Sequence, residues 1–493
     1  MMTKENRLKG PSDRYTVVYQ KNELPDDKKR KILESLCKIV GSENVSDKEV
    51  DKIAYSKDYW PIALRWMLEG KVAALPDYVV WPENVKQISD IVKLANKEEM
   101  PIIPFGEGSG VVGGAIPIKG GITVDMKRMD KILEIDDKNL LITVQSGING
   151  MNLERALNKA GYMMGHVPQS LYCSTLGGWL ACRAAGQFST KYGKIDDMVI
   201  SLEAVLPQGE IIRSKLVPKS STGPRIDILL LGAEGTLGII TEASLKVWPY
   251  PEKRALMSYA FEDLKDCLES IRKILRKGAF PAVVRIYDKT ETARHFYKTK
   301  KAKGKCIVVL VMEGDKELVD LEEKVSQAVC KEQGGTECGE EPVLHWFDTR
   351  FDVHQSSEFL PRDFIGDTIE ISVTWDKSLN LYNSMISAMK NVEGVIVASA
   401  HASHFYPQGV CFYFTFGAVP AEGIEPNDLY KSVWNAAMRS CIDAGGSISH
   451  HHGIGIMRGS WLKEELGQSF EVLKRIKKTL DPLNIMNPGK MGF

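Results

Sequence analysis

The sequence has no surplus of charge of either sign. Its 493 residues carry 64 lysines and arginines against 64 aspartates and glutamates. That balance leaves no footprint for nucleic acid and no polybasic membrane anchor. No apolar run approaches the ~18 residues of a spanning helix. Met1 to Gly10 lacks the apolar centre of a secretion signal. Nine cysteines are scattered with no C-x-x-C pair. This suits a reducing compartment, and the expected location is the cytoplasm. Histidine is scarce, nine in all, so three in a row stand out. Long repeats and low-complexity tracts are missing too. What is left is a globular composition, 43% hydrophobic and long enough for two or three domains.

The most informative stretch is Pro104-Phe105-Gly106-Glu107-Gly108-Ser109-Gly110-Val111-Val112-Gly113-Gly114. Alternating glycines let backbone N–H groups converge on a bulky anion, usually a diphosphate. Gly108 to Gly113 also fits the dinucleotide fingerprint G-x-G-x-x-G. That motif needs a helix to start inside the glycines. Pro117 and the pair Gly120-Gly121 forbid one here. A helix-free turn that cradles phosphate belongs to a different fold.

Apolar periodicity organises the rest. Helices are expected at 26–40, 84–98 and 151–160, and strands at 78–81, 100–103, 121–125, 132–136 and 140–146. A hairpin turns at Pro207-Gln208-Gly209, and 238–247 reads as a strand pair. Beyond Pro251 strands at 257–261, 282–287, 306–313, 368–375, 395–400 and 410–416 alternate with helices at 264–277, 318–330, 379–390 and 428–443. Residues 334–342 read as a loop, and one helix spans 461–480. The fold class is α+β: a cofactor domain at 28–250, an α/β cap of antiparallel sheet and helices at 251–445, and a segment at 446–493 returning to the cofactor.

Two further glycine-hydroxyl clusters follow the first. One is Pro168-Gln169-Ser170 with Ser174-Thr175-Leu176-Gly177-Gly178. The other is Gly232-Ala233-Glu234-Gly235-Thr236-Leu237-Gly238-Ile239-Ile240-Thr241. Either alone fits a helix cap or a turn. Three in one domain suggest walls around a flat cofactor. His450-His451-His452 supplies imidazoles that titrate near neutrality and suit proton transfer. His401 and His404 raise a zinc alternative, but adjacent histidines cannot all face one ion and no cysteine or carboxylate completes a familiar spacing. The expectation is no metal. In Val410–Phe416, alternation puts Phe412, Phe414 and Phe416 on one face and Cys411, Tyr413 and Thr415 on the other.

These clusters, in this order, resemble FAD flavoproteins of the vanillyl-alcohol oxidase (PCMH) type, and among them the alkyldihydroxyacetonephosphate synthases. The similarity runs from about Tyr78 onward. Its most specific stretches are 165–170, 174–179, 221–224, 232–238, Val284-Arg285-Ile286-Tyr287-Asp288 and 449–455. The resemblance implies FAD. Pro104, Gly106, Glu107, Gly108, Ser109 and Gly110 would hold its diphosphate. Pro168, Ser170, Ser174, Thr175, Gly177, Gly178, Glu234, Gly238 and Ile240 would hold the isoalloxazine and adenine. The linking histidine of covalent members would fall near the first loop. None lies at 100–115, so the FAD is expected to be non-covalent. The implied activity is exchange of the acyl chain of acyl-dihydroxyacetonephosphate for a fatty alcohol, through a flavin N5 adduct. Tyr413 would be the acid, one of His450, His451 and His452 (His451 foremost) the base, and Arg285 the organiser. His166 and His404 match pocket positions.

The pattern departs in places. Where the synthases carry an arginine ten residues before Gly366, this chain has Ser356, with Arg362 four residues before. The run Asp481–Lys490 is more similar to FAD-dependent D-lactate and glycolate dehydrogenases. Those enzymes have a second metal histidine and a glutamate where this chain has Gln408 and His451. The alternative is therefore a metal-free FAD oxidoreductase that oxidises a 2-hydroxy acid, with His452 as base, and passes electrons to a carrier. A flavin-binding protein without catalysis fits the histidine–tyrosine constellation poorly. A small-molecule or lipid-like substrate, a homodimer and no nucleic acid are expected. A lipid substrate calls for peripheral membrane contact, with Trp60 to Trp66 as a weak candidate.

Overall fold

A computed structural model describes residues 15–21, 23–352 and 364–493. Ser356 and Arg362 fall outside the described residues. Tyr78–Val80 and Ile102–Phe105 both run parallel to Ile122–Asp125, which lies between them. Val45–Ser46 completes this sheet on the far side of Tyr78–Val80. The helix Val85–Glu98 joins the two outer parallel strands. Asn84 caps it by accepting from the Gln87 N–H at 3.0 Å. Its buried stripe is Ile88, Ile91, Val92 and Ala95, the spacing of one helix face. This is the expected strand–helix–strand unit, with one later strand inserted.

A five-stranded antiparallel sheet follows, ordered Ile211–Arg213, Val199–Val205, Ile239–Lys246, Leu141–Gln145 and Ile132–Asp136. The 238–247 region is one strand, not a pair. It lies between two neighbours along its length, so the chain has no reason to turn back.

The third sheet has seven antiparallel strands: Thr336–Glu337, Lys253–Phe261, Cys306–Gly314, Val283–Tyr287, Val395–Tyr406, Gly409–Ala418 and Ile365–Thr374. One face packs on helices. Phe412, Phe414, Phe416, Val308, Leu310 and Ile286 share a core with Ile271, Met385 and Trp434. The middle of the other face turns toward the preceding domain, where Val283, Ile307, Val309 and Val311 meet Trp179 and Leu176. Strands buried on both faces read as continuous apolar runs, and Cys306–Gly314 does.

Several expectations need correction. The strand expected at 395–400 continues to Tyr406, so His401 and His404 sit on a strand. Residues 334–342 are not all loop, since they hold Thr336–Glu337 and the start of the helix Glu341–Thr349. Pro342 lies in its first turn, where a missing N–H costs nothing. The helix expected at 461–480 breaks at Gly467, whose φ of 54° suits glycine. Trp60 is buried, and Trp66 packs edge-on against it at 5.8 Å. These indoles are part of the core.

The C-terminal segment does return. Ile102 N–H donates to Ile485 O at 2.7 Å, and Asn487 N–H to Ile102 O at 2.8 Å. The chain's last residues thus extend the edge of the first sheet. The fold predicts a contrast between adjacent residues. Phe414→Ala should lower stability by about 3–5 kcal/mol, read as a shift in the urea midpoint. Tyr413→Phe should shift it by no more than about 1.5 kcal/mol. Equal losses would contradict the two-faced strand.

Candidate active site

The three glycine-hydroxyl clusters, far apart in sequence, meet in space. A Cβ on Gly106 would collide with the Thr175 hydroxyl, and one on Gly235 would come within 2.9 Å of the Pro104 ring. Gly108 sits at φ +67°, with the Phe105 ring 2.7 Å from where a Cβ would be. Between 106 and 112 the backbone N–H groups find no backbone acceptor among the described residues. Glu107 is held by Asn149 Nδ2 at 2.8 Å. Lys127 Nζ donates to Gly106 O at 2.9 Å, which places a cation beside the loop. Side-chain-free turns, unspent N–H donors and a lysine fit a diphosphate.

The second cluster caps a helix. Thr175 accepts from Gly178 N–H, and Ser174 Oγ donates to Ser170 O and accepts from Trp179 Nε1, both at 2.7 Å. Gly177 packs on Ser146. In the third cluster Gly238, at φ +156°, fits close to Val205 O, and Ile240 is buried in the following strand. The Glu234 carboxylate accepts from the N–H groups of Ile454 and Gly455, at 2.5 and 2.8 Å. It therefore fastens the C-terminal segment to the clusters.

The cap presents a polar row to this junction. Strand register aligns Tyr287, His401, Tyr413 and Glu370 side by side across four strands. Residues directly opposite share a face, so the row lies opposite the phenylalanines, as alternation required. Arg285 donates to Tyr287 Oη at 2.9 Å and to His401 Nε2 at 2.7 Å. Arginine only donates, so that His401 nitrogen carries no proton. The His401 and Tyr413 rings stack at 4.9 Å. Thr368 Oγ1 donates to Tyr413 Oη at 3.0 Å. Burial pushes the Tyr413 phenol up to about 12, which keeps it protonated at neutral pH.

Glu370 shapes the triple-histidine loop. Its fully buried carboxylate accepts from the N–H groups of His450, His451 (3.2 Å) and His452 (2.9 Å), and from Ser449 Oγ at 3.1 Å. Arg458, equally buried, donates at 2.8 Å. Burial alone would raise this carboxyl, but the Arg458 charge and the N–H groups outweigh it and hold the group below its ordinary value. The loop thereby points its imidazoles toward Tyr413. The rings of His452 and His451 lie 5.4 and 6.1 Å from the phenol ring. Nδ1 of His451 and of His450 are 2.9 Å apart, and His450 Nε2 meets Tyr406 Oη at 2.7 Å. His451, His450 and Tyr406 are thereby joined in one hydrogen-bonded row.

His404 occupies a β-bulge at φ +56°. The bulge aims its ring across the domain boundary, where Nδ1 meets Ser189 Oγ at 2.6 Å. His166 is fully buried 4.6 Å from Trp179, with both nitrogens unpartnered among the described residues. Burial lowers all these histidines, His166 to about 3 and His452 to about 4.

The structure supplies what spacing alone had missed. Glu370, Cys411 and His451 bring ligand-type atoms within 4.8 Å of one another, as do His404, His450 and His451. A carboxylate and a cysteine do approach the histidines. Glu370 has its oxygens engaged by five donors, while Ser189 and Tyr406 hold His404 and His450.

A model of the FAD binding domain matches residues 76–215, and one of the C-terminal domain of FAD linked oxidases matches 250–491. The chain belongs to the FAD-linked oxidases. Its cofactor is FAD. This FAD-linked oxidase is 34% identical to an alkyldihydroxyacetonephosphate synthase of Caenorhabditis elegans over 85% of this chain and 76% of that one. It is 28% identical to a glycolate oxidase subunit of Bacillus subtilis over 93% and 96%. A solved alkyldihydroxyacetonephosphate synthase superimposes with a TM-score of 0.78 at 27% identity, over 95% of this chain and 86% of that one.

Glu370, Arg458, Ser189 and Tyr406 escaped the sequence reading. For Glu370 a signal was present, because Thr368, Glu370 and Ser372 alternate with Ile369 and Ile371. The others are joined to the site only by tertiary contacts.

Two outcomes follow from the neutral histidines. Between about 6.5 and their depressed values the unfolded chain binds more protons than the folded one. Stability should therefore fall as pH drops below about 6.5, and His166→Asn should flatten that slope. Urea midpoints from pH 7.5 to 5 test both, and a flat wild-type profile would refute the buried neutral cluster. Because hydroxyls and Arg458 already hold the ligand-type groups, EDTA should leave turnover unchanged. Stoichiometric zinc lost together with activity would show the opposite.

Proposed function

We propose that this FAD-linked oxidase exchanges the acyl chain of an acyl-dihydroxyacetonephosphate for a fatty alcohol. The main support is the pairing of a phenol held protonated, Tyr413, with a neutral imidazole chain beginning at His451. An acid and a base with well separated proton affinities suit a step that removes one proton and delivers another. His451 takes the substrate proton and holds it as imidazolium, shared with His450 through their Nδ1 atoms, until it returns to Tyr413 after that phenol has given up its own. Tyr413 donates to the departing carboxylate. Arg285, fixed by Tyr287 and His401, orients the substrate. His404 fixes the cap strand against Ser189. The loop 106–110 holds the FAD diphosphate. Bound FAD supplies a ring that accepts and returns an electron pair, so the exchange needs no outside oxidant.

The run Asp481–Lys490 and the glycolate oxidase relative favour instead oxidation of a 2-hydroxy acid, with His452 as base. In the structure His452 Nδ1 is buried without a hydrogen bond among the described residues, 3.6 Å from Glu370 Oε1.

Anaerobic absorbance in the flavin band separates the two. With palmitoyl-dihydroxyacetonephosphate we expect palmitate release, and return of oxidised flavin when a fatty alcohol is added. Tyr413→Phe should slow that release by about 10²-fold or more. Bleaching by D-lactate or glycolate, without palmitate release, would establish the dehydrogenase instead.

A further inference from the structure

We infer that Arg350 is the oxyanion-binding residue of the substrate pocket, taking the phosphate that the reading above gives the substrate. Arg350 ends the helix Glu341–Thr349. Its guanidinium carbon lies 4.6 Å from the Phe347 ring centre, 4.8 Å from Phe351, 5.5 Å from Trp346 and 5.9 Å from Phe188. Four aromatic rings therefore wall one cation. Its Nε and Nη1 are buried without a hydrogen-bond partner among the described residues. No described carboxylate lies within 4.0 Å of it, unlike the buried Arg458 with Glu370 or Arg254 with Glu313. Glu313 acts on it electrostatically but is already bound by Arg254 at 2.7 Å and Tyr192 at 3.0 Å.

A desolvated cation without a counter-ion is strongly unfavourable, and a guanidinium fork matches an oxyanion in two places at once. The missing partner is therefore a ligand. Placement agrees. Arg285 packs on the same Trp346 indole at 5.8 Å, and its own hydrogen bonds go to the neutral Tyr287 and His401. Two guanidiniums thus share one indole, and among the described residues no acid pairs with either. Arg350 O accepts from Gln187 Nε2 at 3.3 Å, and Gln187 N–H donates to Val167 O at 2.9 Å, beside His166. Phe351 meets Tyr172, in the second glycine-hydroxyl segment, at 6.4 Å. The orphaned donors are thus joined to His401 through Trp346 and Arg285, and to the second glycine-hydroxyl segment through Phe351.

The test is titration of the holoenzyme with dihydroxyacetonephosphate, uncharged dihydroxyacetone, inorganic phosphate and D-lactate, followed by perturbation of the flavin spectrum. Arg350→Met keeps the apolar bulk and removes the charge. It should weaken dihydroxyacetonephosphate and phosphate binding by ~10-fold or more. Dihydroxyacetone affinity, FAD content and thermal midpoint should stay near wild type. Arg350→Lys should recover part of the loss, and in turnover the loss should fall on KM more than on kcat. If D-lactate affinity falls while dihydroxyacetonephosphate never binds, the oxyanion role stands and the synthase assignment fails. If anion affinities are unchanged in Arg350→Met, the inference is overturned, whatever palmitate release shows. Should the Met variant lose FAD, Arg350→Lys and Arg350→Gln supply the same comparison.

Discussion

Everything in the site depends on one buried carboxylate. Glu370 sits on the last strand of the cap sheet, with no exposed surface. A bare charge there would be untenable. It is held by a guanidinium and by consecutive N–H groups of the histidine loop. The same contacts fix that loop, since N–H groups converging on one oxygen pair leave few backbone conformations open. Arg458 is fixed in turn by Ile448 O at 2.7 Å and by the Trp434 ring. The imidazoles are thus placed by their own backbone as well as by contacts of their rings with Tyr413, His404 and Tyr406.

A second constraint works from the opposite side. Glu234 binds Ile454 and Gly455, and Gly455 leaves no room for a side chain beside Val112 O. The loop is therefore clamped between a cap carboxylate and a cofactor-domain carboxylate. The histidine loop and the glycine clusters are held in one frame, although their anchoring carboxylates belong to different sheets. Lys490 adds to the frame by donating to Ile116 O at 2.7 Å while fully buried. Burial lowers it to about 8, and burial likewise raises Asp58 and Glu234 to about 6.

Much of this was legible in the sequence, for definite reasons. The helix-free glycine turn after Ile102–Phe105 could be read because Pro117 and Gly120-Gly121 leave no room for a helix. The two faces of Gly409–Ala418 could be read because a strand alternates. The histidine strand was cut short because His401-Ala402-Ser403-His404 carries no β-branched residue, and only pairing with Gly409–Ala418 makes it a strand. Glu370 looked like an ordinary polar residue because its partners lie 79 to 88 positions away. The Trp60 and Trp66 indoles looked like an interface because nothing local says what covers them. Arg350 drew no attention for the same reason, since its aromatic neighbours are informative only once Phe188 is brought across to it.

The tie between Ile102 and the segment 485–487 also bears on how the protein is made. Lys490 and Asn487 close contacts across 374 and 373 positions. A ribosome adding ~5–20 residues per second finishes the first sheet's parallel strands long before it supplies their edge partner. Until then that edge and the glycine turn that follows it stay open. The nascent protein would close this sheet only in a late step that inserts the segment 485–490.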